Sequence, residues 1–592
     1  MDFYRSISRI VQLVFSDPDP HDILLQAMLE EKHITLSSLT EAYQPESTVI
    51  VPAQRSYTGS EMVISSSLAD IPCAILGVQG MLDQLNVSLK TPYTTLDDPH
   101  LSALLEDCIS NNYDFGTAYG RLRRRWYNTY PSHFLDLLHT HEIEDLKMRQ
   151  DVFAGNRIIN PNMPPRRVWD LYSNRVIPYW VIKSGQWLWG ISHAWMDEGD
   201  RDKVSTPING HEWPVPIPKD ANLDLIRLEL LNLGAEYVWL DVLCLRQEGG
   251  REDLRADEWK LDRPTIGHVF RMATEVVCYF SGLGRPWTLK EGDLDSDRSW
   301  FRHAWTLQDV GRKMVIAGDT PDGPLHVKPE DQDETYQEML ARVDRQLSFS
   351  KVVSRGFELD VFNVLADMQN RVATNPVDKI AGLAFPLRST AIAAYHELGS
   401  LEDAWTALVD TMGARYRAQL FFLYPEPGNG HKKWRPSWEQ VMRKPSLRVD
   451  GFQVATISWD EPPVLRDGSP DLTAVRNEEV DVDYHQLFCI DNVTVEGLAV
   501  KYETARRGQF IVTKEGSHES HSFRIVTGHQ YPIPEGKYTL INAHMESQYW
   551  VVGKRLPDQR FEKVSVFQMN SSDKIKELMD LGVAKWSPIF LL

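Results

Sequence analysis

The chain of 592 residues holds only five cysteines: Cys73, Cys108, Cys244, Cys278 and Cys489. They are odd in number and no pair has C-x-x-C spacing, which excludes a disulfide framework and the common zinc-site patterns. His518, His521 and His529 match no familiar ligand spacing, so no metal site is expected. No apolar run is long enough to span a bilayer, so no membrane helix is expected. Basic residues are outnumbered, 63 Lys and Arg against 83 Asp and Glu, for a formal net charge of -20. That argues against a general nucleic-acid or anionic-membrane binder, which must neutralise phosphates with Lys and Arg. Arg121, Arg123, Arg124 and Arg125 are the local exception, read as a basic patch or as a solvated helix face.

Several motifs are also missing. There is no P-loop, H-E-x-x-H or G-x-S-x-G sequence, hence no case for a P-loop NTPase, a zincin or an α/β-hydrolase. Gly282-Leu283-Gly284 lacks the third glycine of the dinucleotide fingerprint and reads as a turn. The apolar patch at 10–15 is broken by Gln12 and has no cleavage site, so no signal peptide is expected. These absences predict a cytoplasmic, reducing location, in which the N-x-S/T triplets at Asn86, Asn492 and Asn570 are chance matches.

At 42% hydrophobic the chain can bury substantial cores. Residues 1–160 read as a helical N-terminal region, with apolar spacing of three and four over 21–31, 101–110 and 134–148. Pro161, Pro164 and Pro165 break it. Residues 185–320 alternate. Strands are expected at 187–191, 237–240, 276–280 and 314–317, and helices at 223–233, 264–274 and 300–310. The charged stretches 248–260 and 293–298 read as exposed loops. The fold class is therefore α/β, an open, mostly parallel sheet flanked by helices. Residues 325–420 return to helical texture, at 335–347, 361–368 and 401–416. Residues 445–592 read as a β-rich domain, with strands at 452–457, 495–500, 523–526 and 549–552.

Three blocks within 187–310 carry polar groups at strand ends or on the helix after one. An open sheet keeps its ligands there. Ser192 and Trp195 follow the first strand, where a hydroxyl and an indole suit a sugar and a stacking base; the alternative is a turn serine and a core tryptophan. Asp241 ends the second strand, as a ligand-binding carboxylate or as a structural acid held by backbone N–H groups. Cys244 reads as core. Trp305 and Asp309, four apart on the expected helix, share a face, with Arg302 three before Trp305. A carboxylate beside an aromatic surface there could hold ribose hydroxyls and stabilise charge at an anomeric carbon; the alternative is an amphipathic helix with a core Trp and a solvated Asp.

In order, these blocks resemble the fungal heterokaryon-incompatibility (HET) domain. The matching residues are Ser192 and Trp195; Trp239, Asp241, Cys244 and Gln247; Ile266, Val269, Phe270 and Ala273; and Arg302, Trp305, Thr306 and Gln308. The stretch 375–383, with Asp378-Lys379-Ile380, is similar to one that often follows the domain. The resemblance covers about 190 to 310. It implies a TIR-like fold and a role in non-self recognition and programmed cell death. Some TIR domains cleave NAD with a Glu on a helix after a Trp, and the W-x-x-x-E spacing of the HET block is similar. The equivalent here is Asp309, one methylene shorter. A displacement of about 1 Å can cost on the order of 100-fold in rate. The resemblance thus implies self-assembly or a protein partner first. Cleavage of NAD as substrate, with Asp309 catalytic and Ser192, Trp195, Asp241, Arg302 and Trp305 binding, comes second. No resident cofactor is implied.

Overall fold

The computed structural model describes residues 57, 62–92, 99–127, 133–182, 187–285, 295–296, 299–309, 314–317, 361–388, 391–443, 483–500, 506–513, 519–542, 548–557, 560–569 and 572–592. The expected helices at 21–31 and 335–347, and the expected strand at 452–457, lie outside these residues. The chain divides into two compact units. The first takes its described residues from Met1–Glu358, Asn370–Pro386 and Ala391–Leu398, the second from Leu359–Gln369, Leu387–Thr390 and Gly399–Leu592. The segments read as 1–160 and 185–320 thus share one unit, and 325–420 is divided between both.

After a short helix, Ser66–Ala69, the first unit carries helices Cys73–Leu89, Pro99–Ser110, Phe115–Leu122 and Phe134–Asp151. Their apolar spacing buries one face: Leu101, Leu104, Leu105 and Cys108 all point into a core. A six-stranded sheet follows, made of β1 (Arg167–Asp170), β2 (Arg175–Pro178), β3 (Leu188–His193), β4 (Tyr237–Leu240), β5 (Glu275–Tyr279) and β6 (Met314–Ala317). Its order is β6-β5-β3-β4-β1-β2. The pairs β6–β5, β5–β3 and β3–β4 are parallel, whereas β4–β1 and β1–β2 are antiparallel. The expected open, mostly parallel sheet is thereby reduced to a four-stranded parallel core with an antiparallel edge, and antiparallel pairings prevail in the described chain as a whole. The β1–β2 ribbon lies in the stretch the sequence leaves between its first two segments. Its turn uses Asn174 at φ 54°, a conformation Asn tolerates.

Every residue of β3 is buried, as a central parallel strand requires. Gly190 is needed there because a Cβ would lie 2.9 Å from the Phe270 ring. The chain leaves β3 toward β4 on one side and leaves β5 toward β6 on the other. This reversal opens a crevice at the carboxyl ends of the strands.

Between β3 and β4 run the antiparallel hairpin Arg201–Val204/Val215–Pro218 and helix α1 (Leu223–Asn232), capped by Asn222. After β4 come α2 (Asp241–Cys244), α3 (Glu252–Asp262) and α4 (Ile266–Met272). Two expectations are overturned here. Most of the stretch read as an exposed loop at 248–260 forms α3, which buries Trp259, Leu261 and the Arg166-paired Asp262, while Glu252, Asp253 and Asp257 stay exposed. The helix expected over 300–310 is instead two single 3-10 turns, Trp300–Arg302 and Trp305–Leu307. Extended His303 separates them, because Ala304 N–H donates to Val372 O and Val372 N–H to Arg302 O. Strand-like pairing with a distant segment outcompetes the helical ladder.

The second unit carries helices Val361–Gln369, Leu401–Thr411 and Ala414–Phe422 and a seven-stranded sheet. Its strands are β7 (Asp483–Glu496), β8 (Arg506–Thr513), β9 (Ser520–Thr527), β10 (Gly536–Asn542), β11 (Tyr549–Arg555), β12 (Arg560–Gln568) and β13 (Lys585–Leu591). The order β8-β9-β12-β11-β10-β7-β13 closes on itself through β8–β7 and β12–β13 pairings. The inward positions Val493, Phe510, Phe523, Trp550 and Phe567 fill the interior.

Candidate functional site

A cleft of about 500 Å³ lies at the carboxyl ends of β3 and β4, lined entirely by the first unit. Ser192, Trp195, Asp241, Trp305 and Asp309 all line it. Arg302 does not, because the two turns that replace the expected helix break the face that would have joined it to Trp305 and Asp309.

The cleft holds two carboxyl groups in different surroundings. Asp241, at the first position of α2, accepts hydrogen bonds at Oδ1 from Val242 N–H (2.7 Å) and His193 Nε2 (2.8 Å). Its Oδ2 accepts from the Trp195 indole (3.0 Å). Burial by itself would raise its pKa, but the charge and hydrogen bond of His193, aided by Val242 and Trp195, outweigh it, so the net shift is downward. Burial likewise opposes charge on His193, yet Asp241 wins and raises it. The two form an ion pair at 2.8 Å.

Asp309 is 7% exposed. Its Oδ2 accepts from Ser192 Oγ (2.8 Å), and Ser192 Oγ in turn accepts from the Trp300 indole (2.8 Å). Its Oδ1 is buried without a hydrogen-bond partner among the described residues. Burial, reinforced by the Asp241 charge, pushes its pKa up from 3.8 to about 8, against the lowering pull of Ser192, His193 and Arg371. At neutral pH Asp241 is therefore an anion and Asp309 mostly a neutral acid.

Aromatic side chains, Trp239, Trp259, Phe270 and Trp305, supply the walls. Trp195 packs its ring against His193 (5.7 Å) and under the Arg201 guanidinium (5.0 Å), so it braces Asp241 rather than offering an open stacking surface. At the far wall Arg263 lies 3.5 Å from the Trp259 ring centroid and pairs with Asp378 (2.9 Å), which also accepts from Tyr395 Oη (2.7 Å). Sequence reasoning missed His193, Trp300, Arg201 and Arg263. His193 stood inside a recognised block, and Asp378 inside the downstream stretch. Trp300, Arg201 and Arg263 had no local signal.

Other candidates resolve into structure. The Cys244 thiol is buried and pushed up to about 12, a core residue. The arginine run is neither a binding patch nor a solvated face. Arg123 pairs with Asp170 (2.7 Å) and Glu236 (2.6 Å), Arg124 pairs with Glu236, and Arg121 lies over the Tyr113 and Trp180 rings. His529 Nε2 donates within the second unit to Val566 O (2.8 Å), and burial pulls its pKa down to about 4; His518 lies outside the described residues. Among the described residues no group of three His, Cys, Asp or Glu could hold a metal ion, and no helix is long and apolar enough to cross a membrane. No family model, curated protein or solved structure matches the chain.

Proposed function

We propose that the cleft binds a nicotinamide dinucleotide and cleaves its N-glycosidic bond, with Asp309 as the reacting carboxyl. The observation that carries this reading is the buried, unpartnered Oδ1 of an acid that lines the cleft. Buried polar atoms are seldom left unpaired, and leaving one costs about 1–3 kcal/mol. Perturbed acids in clefts are the usual mark of a reserved group. A cationic nicotinamide ring entering the cleft lowers the pKa of Asp309, whose proton passes to solvent. The carboxylate then stabilises positive charge at the anomeric carbon as neutral nicotinamide leaves, and water completes the hydrolysis. Asp241 Oδ2 has a second lone pair to accept from a ribose hydroxyl. Ser192 is a positioning residue that acts through Asp309.

The HET resemblance, with its TIR-like fold, supports the same reading and carries with it a role in non-self recognition and programmed cell death. The assembly reading, first on sequence grounds, makes the acids structural. It gives no reason for the unpaired oxygen of Asp309.

The test is nicotinamide release from concentrated NAD by the full chain and by Asp309→Ala and Asp309→Glu. Release by the wild type, its loss in Asp309→Ala and its retention in Asp309→Glu are expected. If no form releases nicotinamide, the enzymatic reading is lost and assembly takes its place.

A further inference from the structure

Two cations of the cleft are committed to buried or half-buried acids, His193 to Asp241 and Arg263 to Asp378. Arg201 is different. It lines the cleft, yet its guanidinium forms no hydrogen bond or ion pair among the described residues, and its Nε is buried without a partner. Its guanidinium lies 5.0 Å from the Trp195 ring centroid. Stacking on an indole fixes the plane of the guanidinium and leaves its N–H edges free within that plane. Arg201 and Lys203 are two apart on the strand Arg201–Val204, so they share a face, and both line the cleft. Lys203 pairs with an exposed Glu248 at 3.6 Å. A pre-oriented planar fork with unused donors, next to a second cation, fits a phosphate group.

We propose that the Arg201–Lys203 face is the anion subsite of the cleft, and that the ligand is a nucleotide gripped by its phosphate or diphosphate rather than a nucleoside. This rests on the nucleotide reading above but not on cleavage.

The test is calorimetric binding to the full chain and to Arg201→Gln, Arg201→Lys and Lys203→Gln, with melting temperatures confirming that each variant folds. The probes are NAD, nicotinamide mononucleotide, nicotinamide riboside and sodium pyrophosphate. The wild type is expected to bind NAD and the mononucleotide about 10- to 100-fold tighter than the riboside, the range of a charge-assisted hydrogen bond. Arg201→Gln should erase that margin, Arg201→Lys recover part of it, and added salt shrink it. Equal affinity for riboside and NAD, or a folded Arg201→Gln with unchanged NAD affinity, overturns the subsite. Pyrophosphate binding as tight as NAD overturns the nucleotide assignment in favour of a free phosphate site. Cleavage of NAD that Arg201→Gln leaves untouched in affinity defeats the subsite alone. Arg201-dependent NAD binding without cleavage defeats the glycohydrolase reading alone. No binding of any probe defeats both.

Discussion

Asp309 in the first unit and Lys563 in the second are both buried ionisable side chains, and their surroundings differ. Lys563, on β12, gives its amine to Phe421 O (2.6 Å) and Leu420 O (3.4 Å), while neighbouring Ser565 Oγ donates to Pro425 O (2.7 Å). Burial drives the pKa of Lys563 well down, but the amine has acceptors whether or not it is charged. Asp309 has one hydroxyl on one oxygen and nothing on the other. The architectures explain the contrast. A closed barrel fills its interior with side chains, and a buried polar group there serves to anchor a neighbouring segment. An open parallel sheet ends in a crevice, where an unsatisfied group can await a ligand.

The sharpest way to break this comparison is Asp309→Asn. Nicotinamide release should fall about 100-fold or more, the scale of removing a charge-stabilising group. Stability should change in the opposite sense. The folded-state pKa of about 8 exceeds the ordinary 3.8, so between those values the native chain keeps a proton that the unfolded chain has lost. The contribution of Asp309 is therefore fully present below about pH 4 and declines as pH rises toward 8, by on the order of a few kcal/mol. Urea unfolding of both forms from pH 4 to 8 reads the difference. An identical pH slope in the variant would mean that Asp309 titrates normally.

Next in size is Lys563→Met, which leaves two carbonyls unpaired and should destabilise the second unit by about 1–3 kcal/mol. Ligand affinity at the cleft should stay at the wild-type value. A loss of affinity in a folded variant would blur the distinction between anchor and site. The smallest effect belongs to Trp300→Phe, which removes the donor behind Ser192. About 1 kcal/mol of stability should go. The weaker Ser192 hydroxyl should hold the Asp309 anion less well, moving the pH profile of nicotinamide release upward. An unmoved profile would detach Trp300 from the site.

Much of the first unit was legible because its signals are local. Short apolar runs announced β3, β4, β5 and β6, helical apolar spacing announced α1, and a proline near its first turn announced α4. The same rules failed where a distant partner overrode them. Val372 splits the 300–310 stretch into turns, and a buried Trp259 converts a charged stretch into α3. Arg123 looked solvated until Asp170, 47 residues away, neutralised it. His193 and Asp241 are 48 residues apart and Ser192 and Asp309 are 117 apart, distances at which no periodicity reports a pairing.

Residue order alone determined that Ser192, Asp241 and Asp309 belong to segments that an α/β chain brings near its strand ends, since hydrophobic periodicity sets strands and helices locally. Only the tertiary structure decided which of the two acids is charged. A carboxyl's ionisation depends on the donors and apolar walls around it. Asp241 meets His193, an indole and a backbone N–H, while Asp309 is buried with a single hydroxyl as its hydrogen-bond donor.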